Sequence, residues 1–212
     1  MAERHEMAMH LWWLYVTAVF LIAGTPGPNM LHVMVQSIHH GPRRAVFSMA
    51  GLMSAVLLCI LASALGLGAM LQASPRLYGA LRIIGAAYLI WLGIKAWRAP
   101  VTAGPRVDGV TRSRPGALYA AGLGTGLSNP KLMVFAAAFF PQFLDPSRPF
   151  WLQLGILVAT FVVIEGGWYT AYALGGRTLA RWLAPEHRQR RFNRATGTLF
   201  LGFGGLLLAA RA

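Results

Sequence analysis

Apolar residues run along this chain in long blocks, parted by short basic or Pro/Gly-rich connectors. Six blocks reach or approach the ~20 residues an α-helix needs to cross a bilayer. They cover about 11–38, 45–71, 77–97, 117–143, 150–174 and 195–211. The pattern predicts an all-α integral membrane protein of six transmembrane helices. In the third block Tyr88, Trp91 and Trp97 are placed as interfacial aromatics are. The stretch 98–116, "RAPVTAGPRVDGVTRSRPG", reads as a basic, flexible linker. It parts residues 1–97 from 117–212, three spans each, within one membrane domain. The basic run 177–194 is read as an amphipathic surface segment or a solvated charge run.

Two blocks are interrupted by polar and helix-breaking residues. Block one carries "GTPGPN" (24–29), and block four carries "SNPK" (128–131). Thr25 before Pro26, and Asn129 before Pro130 with Ser128 as the alternative cap, read as N-cap residues followed by proline at the first helical position. Gly24 and Gly27 permit backbone angles that other residues resist. A helix thus starts anew within each span. Such a start leaves up to four N–H groups unpaired and carries roughly half a positive charge. It must face protein or water, and it suits a carboxylate. The breaks lie about 100 residues apart, near the start of each half. Three spans per half is odd, so the halves are predicted to be inverted repeats.

Composition agrees. Of 212 residues 56% are hydrophobic and 12% charged, against about 25% charged in a soluble domain. The formal charge of +13 is not a nucleic-acid footprint, because Lys and Arg gather in connectors. Those after spans one, three and five hold most of them: Arg43, Arg44, Lys95, Arg98 and the clusters within 106–114 and 177–194. The opposite side has Arg4, Arg76, Arg82, Arg148 and Arg211. The positive-inside bias then puts both termini outside. The N-terminal "MAERHEMAMH" is a poor signal-peptide start, so span one is read as retained. The lone Cys59 excludes an intrachain disulfide or CxxC pair and reads as a small apolar residue. No metal or cofactor site is predicted.

Two charges fall where they are costly. Lys131 and Glu165 lie about 14 and 15 residues into spans four and five, near the midplane at ~1.5 Å per residue. Burying an ionisable side chain there costs at least about 2.5–3.5 kcal/mol. They are read either as a mutual ion pair or as working groups. Trp168, Tyr169 and Tyr172 follow Glu165 at i+3, i+4 and i+7 and share its face, as a cavity wall or a packing stripe. Asn29, His32 and Gln36 align similarly after the first break, with His32 read as packed. Arg82 is read as snorkelling to the surface.

The stretches "PGPNMLHVMVQSIHHGPRRAVFSMAG", "LRIIGAAYLIWLGIKAWR", "GLSNPKLMVFAAAFFPQFLDP" and "FNRATGTLFLGFGGLLL" together resemble the LysE/RhtB family of bacterial amino-acid exporters. The resemblance covers nearly the whole chain. It implies a multi-pass protein of the bacterial cytoplasmic (inner) membrane that exports amino acids or close derivatives, homoserine/threonine, leucine-type or lysine-type, driven by protons. Members often carry an acid, commonly Asp, in span five; Glu165 is the match. The expected substrate site is Thr25, Pro26, Gly27, Pro28, Asn29, Ser128, Asn129, Pro130, Lys131, Trp168 and Tyr169, with Glu165 coupling protons and the inverted halves rocking. Two other readings are a membrane scaffold, for which "GLGTG" (122–126) offers a small-residue face, and an intramembrane enzyme acting on lipid. The second has no HExxH, GxSxG or paired acids to build on. Small residues in spans two and four permit a homodimer.

Overall fold

The computed structural model describes residues 2–25, 27–73, 75–99, 113–144, 148–183 and 185–209. These form helices α1 (Ala2–Gly24), α2 (Pro28–His40), α3 (Pro42–Ala73), α4 (Pro75–Trp97), α5 (Pro115–Leu127), α6 (Pro130–Val134), α7 (Phe150–Leu183) and α8 (Glu186–Ala209). After α6 the chain winds through a π turn (Phe135–Phe139) and a 3₁₀ turn (Phe140–Phe143). No strand occurs among the described residues. Proline punctuates the whole order. Helices α2 to α6 each begin on one, and α7 and α8 begin directly after Pro149 and Pro185. Proline fits there because its ring presets φ and its missing N–H would be an orphan at a helix start anyway.

Among the described residues, two helices are long and apolar enough to cross a membrane alone, Pro42–Gly66 and Phe150–Gly176. Leu11–Gly24 and Pro28–His40 qualify together as one span bent by 52°. Of the remaining expected spans, the third appears as α4, whose apolar part Ile83–Trp97 is shorter. The fourth is divided into α5, of 13 residues, and α6, of 5, because Ser128–Pro130 stop the first helix. The sixth is the apolar end of α8. Basic segment 177–194 is not a separate surface element: α7 runs on to Leu183 and α8 starts at Glu186. Most of the linker, and Pro26, lie outside the described residues, as does the side chain of Arg82. Large apolar side chains face outward in numbers, among them Leu58, Leu65, Ile84, Trp151, Val163 and Leu174. A membrane supplies the apolar surroundings that this surface calls for.

The most extensive helix contacts join α3 to α5 and α4 to α8. Glycine makes both close. A Cβ on Gly122 would overlap the Ser48 carbonyl, one on Gly51 the Tyr119 carbonyl, and one on Gly126 the Ala55 methyl. On the other seam a Cβ on Gly197 would lie 2.7 Å from the Gly93 oxygen, and one on Gly204 2.6 Å from Ile90 Cγ1. The "GLGTG" face is thus spent within the chain, on α3. Two buried cores result. One gathers Tyr15, Phe135, Phe139, Phe140 and Phe161; Cys59 packs partly buried against it. The other gathers Met30, Val33, Met34, Leu52, Tyr169 and Tyr172. The break segments lie where the two meet.

Candidate functional site

At the first break α1 ends at Gly24, and the Thr25 hydroxyl turns back to donate to the Ile22 carbonyl at 2.6 Å. Thr25 therefore closes α1 instead of opening α2. The cap of α2 is Gly27, in extended backbone and with no side-chain cap bond, and Pro28 takes the first helical position. The start predicted at Thr25–Pro26 is displaced by two residues, because "PGP" offers two prolines and the chain uses the second. At the second break the prediction matches the geometry: Asn129 Oδ1 accepts from the Lys131 N–H at 3.0 Å, followed by Pro130.

The two breaks meet. Asn129 Nδ2 donates to Asn29 Oδ1 at 2.8 Å, and Asn29 Nδ2 donates to the Tyr169 hydroxyl at 3.3 Å. Glu165 sits four residues before Tyr169, on the same side of α7, and is buried there. Asn29, Asn129, Glu165 and Tyr169 are all buried. Hydrogen bonds thus run from the second break through the first to Tyr169, one helical turn from the buried acid of α7.

Lys131 is held by the carboxyl end of α1. Its ammonium donates to the Ile22 carbonyl (2.6 Å), the Thr25 carbonyl (3.1 Å) and the Thr25 hydroxyl (2.9 Å). Three donors meet three acceptors, at the helix pole that carries roughly half a negative charge. Among the described residues Lys131 and Glu165 form no ion pair within 4.0 Å; the pair that forms is Arg190 with Glu186 on the surface. Instead the two charges face one cavity of about 30 Å³. Gly27, Asn29 and Asn129 add its polar lining; Val19, Ile22, Met30, Leu132, Phe135 and Phe161 form the apolar wall. At about 10–15 Å³ per water, this is room for two or three.

The remaining predicted residues lie outside the lining. Trp168 donates its indole N–H to the Phe20 carbonyl at 3.0 Å and lays its ring on Gly24. Tyr172 caps the Gly24 carbonyl at 3.0 Å. These two tie α7 to the end of α1, so the aromatic stripe divides: Tyr169 joins the polar chain, Trp168 and Tyr172 anchor. Thr25 is buried beside Lys131, while Ser128, Pro28 and Pro130 are exposed. The apolar wall was missed, although a signal existed. Phe161 precedes Glu165 by four residues and Phe135 follows Lys131 by four, so each shares a helix face with the charge already singled out.

The LysE type translocator family matches residues 10–211 of the chain. The chain belongs to this family. As a LysE type translocator it is a membrane transporter and not an enzyme. It is 37% identical to the homoserine/homoserine lactone efflux protein of Salmonella typhimurium, over 97% of this chain and 99% of the relative. It is 32% identical to an uncharacterized membrane protein of Vibrio cholerae, over 97% and 100%. A leucine efflux protein of Salmonella typhimurium is 27% identical over 92% and 93%. No solved structure matches this translocator.

Proposed function

We propose that this translocator exports neutral amino acids or their close derivatives across the bacterial cytoplasmic membrane, driven by the proton gradient. The observation that carries the reading is the hydrogen-bonded chain Asn129–Asn29–Tyr169, which links both breaks and ends one helical turn from the buried Glu165, at one cavity. The similarity to homoserine and leucine efflux proteins supports the cargo class. So does the count of acids. Of the six Asp and Glu residues, only Glu165 falls inside a span. It serves an α-ammonium, and no second carboxylate remains for a cationic side chain. A lysine-type cargo therefore fits poorly.

In this reading the spans number six, arranged as two inverted three-helix repeats with both termini outside, and cargo arrives from the cytoplasm. Its carboxylate draws the Lys131 ammonium away from Ile22 and Thr25 and approaches the helix starts at Gly27–Asn29 and Asn129–Lys131. Its ammonium faces Glu165, and its side chain meets Phe135 and Phe161. Losing Lys131 frees the end of α1, which lets the first break flex and the small cavity widen to take an amino acid. A proton from outside then neutralises Glu165, the ammonium loses its partner, and the cargo leaves.

The test is efflux of labelled homoserine and leucine from proteoliposomes, with and without an imposed pH gradient. The parent should respond to the gradient. Glu165→Gln keeps size and hydrogen-bonding capacity but takes no proton, so it should insert and fold while losing gradient-driven export. Gradient-driven export by that variant at the parent's rate would refute the coupling role.

A further inference from the structure

A second polar cluster lies one helical turn along α2, outside the cavity lining. The His32 ring bridges two hydroxyls: Nε2 is 2.6 Å from Ser48 Oγ in α3, and Nδ1 is 3.2 Å from Thr125 Oγ1 in α5. His32 follows Asn29 by three residues, and Thr125 precedes Asn129 by four. Residues so spaced are neighbours along one side of a helix. The first break helix is therefore joined to the end of α5 by two rungs about one turn apart, Asn29–Asn129 and His32–Thr125. We propose that His32 is a positioning residue for transport, setting the register of α2 against α5 and with it the meeting of Asn29 and Asn129. The inference rests on the export reading above, to which it adds a residue that touches no cargo.

The chemistry of the ring suits the task. A neutral imidazole carries one donor and one acceptor, and each hydroxyl serves as either, so both bonds persist in either tautomer. The flat ring fixes the angle between its two partners, which a flexible amide does not. Its anchor on α3 is itself immobile: Ser48 is fully buried, and its backbone is the surface on which Gly122 of α5 rests. The second rung is thus referenced to the α3–α5 seam, which holds the closest glycine approaches among the described residues. A histidine present only to fill space would be replaced well by leucine, which keeps comparable bulk and makes neither bond.

The experiment compares the parent with His32→Leu, Thr125→Val and the double variant, using efflux of labelled L-homoserine from proteoliposomes and backbone hydrogen exchange of the same preparations. His32→Leu should lower the maximal rate roughly tenfold or more while shifting half-saturation by less than about twofold, the sign of a lost positioning contact. Thr125→Val should lose less, and the double variant should be no slower than His32→Leu, since both substitutions break one rung. Export by His32→Leu at the parent's rate overturns the proposal, as do independent, multiplying losses in the double variant. Hydrogen exchange separates this outcome from failure of the export reading. If the parent itself moves no homoserine, faster exchange in α2 and the end of α5 together, with α4 and α8 unchanged, still supports the second rung; unchanged exchange in α2 and α5 overturns it.

Discussion

Asn129 performs two tasks with one amide group: its oxygen caps α6 and its nitrogen reaches Asn29. The two separate by mutation. Serine caps about as well as asparagine but is too short to reach across, whereas alanine does neither. Asn129→Ser should lose export, and its melting temperature in detergent should fall only by what the unpaired, buried Asn29 oxygen costs, about 1–3 kcal/mol. Asn129→Ala should also lose about 1 kcal/mol of cap energy, a fall of about 2–4 °C for a chain of this size. Thr25 offers a prediction of the opposite sign. Its hydroxyl is one of three acceptors holding Lys131. If cargo must win Lys131 from that hold, Thr25→Val should lower half-saturation for homoserine by roughly fivefold, the worth of about 1 kcal/mol; an unchanged or higher value counts against the exchange. At this scale the sequence was only half readable. Asn129 declared itself, because a cap residue before proline is a local signal. Thr25 looked identical and closes the preceding helix instead. The partners of Lys131 lie more than 100 residues away in the chain, where spacing carries no information.

Among the helices, glycine placement decides what can move. Gly122 and Gly126 press on α3, while Gly124 between them meets nothing within 4 Å. Gly122→Val should therefore lower thermal stability sharply or abolish folding, and Gly124→Ala should leave melting and export near the parent's. Equal effects from the two would mean that α5 does not sit on α3 in this orientation. The small-residue motif was legible in the sequence, but its partner was not. It resembles a face for another protein and is occupied by the same chain. The division of the fourth expected span follows the same pattern. A 13-residue α5 and a 5-residue α6 are each too short to read as a span alone, and their contacts with α2 and α3 are contained in no hydropathy pattern.

Across the whole molecule, the closest seams join helices from opposite halves of the sequence, α3 with α5 and α4 with α8. Rocking of the two halves as separate blocks would have to part both glycine seams at once. Motion confined to the break segments leaves them shut. Cross-links placed across α3–α5 or α4–α8 should thus spare export, whereas a cross-link between the end of α1 and α7 should stop it. Parsing into helices is written locally, since a proline stands at or just before the start of every helix after α1. The start of each helix is thus marked as the chain leaves the ribosome, without information from later segments. The carbonyls at the end of α1 are different, because Lys131 is synthesised 106 residues after Thr25. At about 5–20 residues per second, they wait some 5–20 s for their cation. The nascent protein carries an electronegative notch without its cation throughout that interval, and any message truncated before the Lys131 codon yields a product that never heals it.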